Sequence, residues 1–191
     1  MTSRKITKKS SAGFTLVEIM ITLAIAVILI TLAVPSFSLM INNSKVTSST
    51  NEFVASLNLA RSEALKRSNN ISVCKSNPAY SACAGSGSVA SYTTNGWLVA
   101  TDCNSDGILN NTGCPTGVTD VILKVGESNK AIDMNVQMDY VTYNLSGRIV
   151  GGGVPTFIVE TNTSNTSIKK NKIKINRIGR VKTCKVGETG C

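Results

Sequence analysis

The chain has 191 residues, a net charge of +9 and no histidine. Its length suits one domain beyond a hydrophobic segment, and the lack of histidine removes the commonest general base and metal ligand, which argues against hydrolytic or metal-centred chemistry. The positive charge is concentrated at two places: four cations and no acid up to Gly13, and eight cations and no acid over residues 168–185, which leaves −3 for the remainder.

From Phe14 to Val34 the chain runs for 21 residues with a single charge, Glu18. Crossing a bilayer takes roughly 20 apolar residues, and the cations Arg4, Lys5, Lys8 and Lys9 ahead of the run mark its cytoplasmic side. A removable secretory signal has a shorter apolar core, about 7–15 residues, and a small-residue cleavage site after it. This run is longer, carries Glu18 and lacks such a site, so a retained segment is expected. A carboxylate inside a span costs about 2.5–3.5 kcal/mol on insertion scales, which makes Glu18 a functional candidate. The plainer alternative is that Glu18 snorkels to the interface near the helix start.

Beyond Val34, apolar or small residues recur at Val46, Phe53, Leu57, Ala60 and Ala64, a helical stripe. The pattern predicts one helix from Phe14 to about Asn70, kinked or locally melted at Pro35. Arg61, Glu63, Lys66 and Arg67 fall off the stripe, and Arg61 with Glu63 is placed to orient the helix on a sheet. From Ile71 the pattern changes to short strands over 71–74, 96–101, 121–125, 134–143, 156–160, 172–178 and 180–184. Loops fall at 75–95, 104–117, 151–153 and 161–167, and no internal repeat stands out. A helix succeeded by unalternated strands predicts an α+β domain with an antiparallel sheet on the helix.

The six cysteines are Cys74, Cys83, Cys103, Cys114, Cys184 and Cys191. An even count beyond a membrane-targeting segment suggests disulfides, for which about 15 pairings exist. The sequence-local set 74–83, 103–114 and 184–191 is favoured, because each pair encloses turn-rich sequence. Asp102, Asn104 and Asp106 match the first half of a calcium loop, D-x-N-x-D-G, but Gly113 stands where the bidentate glutamate belongs. Such Asx-rich turns also form without metal. Asp102 and Asp106 lie close in sequence, yet no nucleophile–base set can be assembled around them, so no catalytic residue, cofactor or small-molecule substrate is expected.

In the basic C-terminal segment, strand alternation puts Lys172, Lys174, Arg180 and Lys182 on one face and Ile173, Ile175 and Val181 on the other. If Gly179 instead marks a tight turn, Arg177 comes beside Arg180. Either arrangement offers a basic ridge able to neutralise phosphates without reading sequence. The bland alternative is a solvated strand face that meets an acidic neighbour. No aromatic residue interleaves with these cations, so stacking on single strands is not suggested.

Gly13-Phe14-Thr15-Leu16-Val17-Glu18 after a short basic leader resembles the processing signal of type IV pilins and type II secretion pseudopilins. Leu59-Ala60-Arg61-Ser62-Glu63-Ala64, Asn95-Gly96-Trp97, Asn144-Leu145-Ser146-Gly147-Arg148 and Ile178-Gly179-Arg180-Val181-Lys182 resemble the GspH/FimT/FimU branch of minor pilins and pseudopilins. The resemblance implies a pilin-like α+β fold in four parts: a cleaved leader (1–13), a transmembrane and filament-core helix (14–34), its amphipathic continuation (35–70) and a disulfide-stapled β-rich head (71–191).

It also implies cleavage between Gly13 and Phe14 by a prepilin peptidase, N-methylation of Phe14, and an assembly role for Glu18. The partners implied are major and minor pilins and the inner membrane, with the N-terminus cytoplasmic and the head periplasmic before assembly into a surface pilus. The implied processes are twitching motility, adhesion and natural transformation; a secretion pseudopilin is the alternative. Members of the FimT type are linked to DNA uptake through a C-terminal Gly-Arg-x-Arg element, which Gly179-Arg180-Val181-Lys182 resembles. That points to double-stranded DNA and to Lys172, Lys174, Arg177, Arg180 and Lys182, although Lys182 lacks the guanidinium's bidentate fork.

Overall fold

The computed structural model of the chain describes residues 13–84, 91–109, 113–127, 129, 132–136, 138–151, 155–161 and 168–188. Helix α1 spans Leu16–Arg67, and two compact units divide between Met40 and Ile41. Thr15 caps α1, its hydroxyl accepting from the Glu18 backbone N–H at 3.2 Å, so Glu18 lies in the first turn, where the helix dipole favours a carboxylate.

In the first unit the apolar side chains face outward: Leu16, Ile21, Leu23, Ile28 and Leu29 are all more than half exposed. The hydroxyls there are satisfied within the helix, Thr22 donating to the Ile19 carbonyl and Thr31 to that of Ile28. By length and composition this segment is able to cross a membrane. The backbone stays helical through Pro35, so no local melting occurs there. One proline removes one hydrogen bond, and the turns on either side keep theirs.

In the second unit α1 buries one stripe completely: Val46, Phe53, Leu57, Ala60 and Ala64. Ser49, Thr50 and Ser56 are buried beside them, and the last two return their hydroxyls to the carbonyls of Val46 and Glu52. The helix ends where Ser68 takes a left-handed conformation with φ of 49°.

Two antiparallel four-stranded sheets come after the helix, where the sequence predicted one. The strands are β1 (Ile71–Lys75), β2 (Trp97–Thr101), β3 (Ile122–Gly126), β4 (Ile132–Val136), β5 (Tyr140–Tyr143), β6 (Thr156–Thr161), β7 (Asn171–Ile175) and β8 (Val181–Lys185). The first sheet has the order β3-β2-β1-β5 and the second β4-β6-β7-β8. The single strand predicted over 134–143 is therefore two strands in different sheets. Uniform strand propensity across the stretch conceals the change of partner, β4 pairing with β6 and β5 with β1. A four-residue helix α2 (Tyr92–Asn95), held by a capping box between Ser91 and Thr94, lies in the stretch predicted as loop.

The core gathers at Phe53. Its ring makes edge contacts with Trp97 of β2 at 5.1 Å, Tyr92 of α2 at 5.7 Å and Phe157 of β6 at 4.8 Å, so one helix residue touches both sheets. Phe53→Ala should lower stability by about 3–5 kcal/mol, whereas Glu52→Ala at an exposed position should change it by about 0.5 kcal/mol or less. Thermal unfolding of the full chain in detergent checks both.

Candidate functional site

Two turns in the second unit share one string. Asn144-Leu145-Ser146-Gly147-Arg148 comes directly after β5, and Asn176-Arg177-Ile178-Gly179-Arg180 joins β7 to β8. Both make the same bonds. The glycine N–H donates to the asparagine carbonyl at 2.8 Å in each turn, and the asparagine N–H donates to the arginine carbonyl at 2.9 and 3.1 Å. The arginine N–H donates to the asparagine Oδ1 at 3.0 and 2.8 Å. Both glycines are left-handed, with φ of 67° and 79°, which favours glycine over any residue bearing a Cβ.

The turns also touch one another. A Cβ added to Gly179 would overlap the carbonyl oxygen of Gly147, and the Ile149 N–H donates to the Arg177 carbonyl at 3.3 Å. Arg61 of α1 closes the junction: its Nε donates to the Gly147 carbonyl at 3.1 Å and a terminal nitrogen donates to that of Ile178 at 3.0 Å. One guanidinium thus ties the helix to a turn from each sheet. Tyr143, just ahead of the first turn, is fully buried; burial pushes its phenol up from the ordinary value, with the Arg61 charge pulling the other way.

The β7–β8 hairpin carries the C-terminal cations. Ile173 and Ile175 are fully buried, and the cross-strand register places Lys172 opposite Cys184 and Lys174 opposite Lys182 on the other face. Lys174, Asn176, Arg180, Val181 and Lys182 line an open groove of about 500 Å³. Arg177 and Arg180 are exposed in the turn itself, so Gly179 marks a tight turn rather than a position inside one continuous strand. Among the described residues, neither of them, nor Arg148, takes part in an ion pair.

The hairpin runs beside the helix. The Lys169 N–H donates to Asn43 at 2.9 Å, Asn171 donates to Thr50 at 3.1 Å, and the Ile178 carbonyl receives Arg61.

Residues 49–179 match the family model described as type II transport protein GspH, and residues 8–34 match the prokaryotic N-terminal methylation motif. The chain belongs to the GspH family. No curated protein matches it. Two crystal structures of the type IV minor pilin FimU of Pseudomonas aeruginosa (strain PAO1), in space groups P65 and P21, resemble this GspH-family chain. The first is 18% identical over 72% of this chain and 91% of that one, and the second 17% identical over 73% and 87%, each with a TM-score of 0.49.

Arg61 and the turn at Gly147 lie inside the matched span, which ends at Gly179, just ahead of Arg180, Val181 and Lys182 of the groove. Of the cations singled out from sequence, Lys174, Arg180 and Lys182 come together in the groove, Lys172 lies farther along the strand, and Arg177 sits in the turn. Sequence reasoning missed Arg148 and the reach of Arg61, although the shared N-x-x-G-R string was legible. Glu63, paired in sequence reasoning with Arg61, turns instead to its own helix, where Arg67 at 2.6 Å and Lys66 hold its carboxyl below the usual range.

The Asp102–Gly107 loop is engaged with itself. Asp102, fully buried, accepts from Gly107 N–H and from Ser72, which also bonds Thr142. Asn104 and Asp106 bond each other, and Asp106 accepts from the Ile108 N–H. Disulfides join Cys74 to Cys83 and Cys103 to Cys114. The second bond occupies both thiols of the Cys103–Cys114–Asp120 group, so these sulfurs are not metal ligands. Cys184 is disulfide-bonded; Cys191 lies outside the described residues.

Arg61→Ala should lower stability by about 1.5–3 kcal/mol, the range for hydrogen bonds to a charged group. Hydrogen exchange should then quicken at Gly147 and Gly179 together, since both turns lose one shared donor. Faster exchange at only one turn would separate the two.

Proposed function

We propose that this GspH-family chain is a minor type IV pilin, a non-catalytic subunit built into or at the tip of a pilus and needed for its assembly or function. The observation that carries the reading is the methylation motif joined to a capped helix whose apolar side chains stand exposed, with Glu18 in its first turn. Those side chains need a bilayer first and neighbouring helices afterwards. In this reading a prepilin peptidase cuts between Gly13 and Phe14, and Phe14 is then N-methylated. The Phe14 ammonium of a neighbouring subunit pairs with Glu18 as the helices bundle, because a carboxylate in an apolar core requires a partner. The subunit waits in the inner membrane with its head in the periplasm and then enters the filament with major and minor pilins.

Glu18→Ala should leave membrane insertion and leader cleavage unchanged and reduce incorporation into sheared pili at least tenfold. Normal incorporation would remove the assembly role of Glu18. A deletion strain separates the processes: loss of pili supports an assembly subunit, and a secretion defect with intact pili supports a type II secretion pseudopilin.

A second reading is favoured by the groove of Lys174, Arg180 and Lys182 and the exposed turn arginines, namely contact with the backbone of double-stranded DNA during uptake. Affinity of the full chain for a duplex should fall steeply with salt. The Arg177→Ala, Arg180→Ala, Lys182→Ala variant should flatten that dependence by roughly one unit of log–log slope for each phosphate it no longer neutralises. Equal binding by the variant would end this reading.

A further inference from the structure

The paired turns carry a feature that phosphate binding does not explain. Leu65, Leu145 and Ile178 are 52%, 54% and 53% exposed. Leu65 lies 3.4 Å from where a Cβ on Gly147 would sit, and Ile178 is held by Arg61 beside the same glycine. Three exposed aliphatic residues therefore belong to one junction, and the two turns that carry Leu145 and Ile178 also carry the exposed Arg148, Arg177 and Arg180. Aliphatic groups gain nothing from a phosphate backbone and do not stack on bases. An apolar spot rimmed by arginine is the make-up of a protein contact, in which arginine is enriched and a buried apolar centre supplies the energy.

The rim sets the charge of the partner. Around the junction the carboxylate on the adjoining helix turn, Glu63, is taken up by Lys66 and Arg67. The opposite end of the same head, near Asn43, is also basic. Lys45 lies two positions along α1, Lys169 is bonded to Asn43, and Lys170 and Lys185 line the adjacent groove. Glu160 and Glu188 pair with Lys170 and Lys185, and among the described residues neither Lys45 nor Lys169 takes part in an ion pair. Two copies of this chain stacked end to end would set cations against cations, a juxtaposition that selects against self-pairing.

We infer that the junction of the two turns, with Leu65, Leu145 and Ile178 at its centre, is the docking face for the head of a different pilin-family subunit. That subunit presents an apolar spot inside an acidic rim. The inference rests on the minor-pilin reading and adds the surface, the partner's charge and the exclusion of a second copy.

The test uses full-length chains co-expressed in membranes and purified pairwise in detergent: this chain with itself, and with each of the other pilin-family chains encoded in the same genome. At least one heterotypic pair should exceed the homotypic one. Leu145→Ser with Ile178→Ser, which keeps every cation, and Arg148→Glu with Arg180→Glu should each reduce that pair tenfold or more. Lys124→Glu on β3, at the opposite edge of the first sheet from the strand that leads into the junction, should not. Unchanged melting temperatures establish that the variants are folded.

Dominant self-association, absence of any heterotypic pair, or a pair indifferent to both junction variants would overturn the inference. So would a pair lost with the arginines and untouched by the serine substitutions. Sheared pili separate this failure from that of the underlying reading. A chain absent from pili in the wild type sinks the pilin role itself, whereas a chain present in pili with pairings blind to the junction sinks only the docking face.

Discussion

Phe53 meets Trp97, Tyr92 and Phe157, and with them both sheets and the short helix α2. Among the described residues neither sheet pairs with the other through a strand ladder, so the sheets need a shared apolar surface to form one head. The stripe from Val46 to Ala64 supplies it, and the aromatic edge contacts at its middle fix how the sheets approach. Ala60 and Ala64 at the far end of the stripe are fully buried as well. The buried hydroxyls of Thr50 and Ser56 are satisfied by carbonyls of their own helix.

Arg61 adds a directional constraint to that apolar one. Packing around Phe53 alone leaves each sheet free to tilt. A planar guanidinium bonded to the Gly147 and Ile178 carbonyls fixes one turn of each sheet against the same helix position. The glycines are required on two grounds, left-handed backbone and the absence of room between them, so the junction is rigid without burying its own side chains. Rigidity at an exposed apolar site lowers the entropy a partner must overcome in ordering the contact surface.

The helix stripe was legible because a 3.6-residue period survives in the sequence whatever packs against it. The strands were legible for the same kind of reason, each observed span lying close to a run of β-branched and aromatic residues between turns. What lay out of reach was partnership. Nothing in Met134 to Tyr143 marks the point where pairing passes from one sheet to the other. The carbonyls that receive Arg61 are 86 and 117 residues away. The α2 helix is too short to show a period. The two turns are the instructive case: each stood out as a motif, yet a five-residue string is too brief to register as a repeat until the backbones are seen making the same three bonds.

The chain separates its tasks by charge as well as by position. The exposed apolar helix needs apolar surroundings and keeps one carboxylate at its capped start, where the helix dipole favours it. The head, by contrast, concentrates its cations at one hairpin and one junction, while Asp106 bonds within its own loop and Asp102 accepts from Gly107 and from Ser72 of β1. A subunit meant to polymerise with itself needs complementary ends. In the docking proposed for this head, cations at both ends set like charges against one another when two copies stack and so favour a neighbour of another kind.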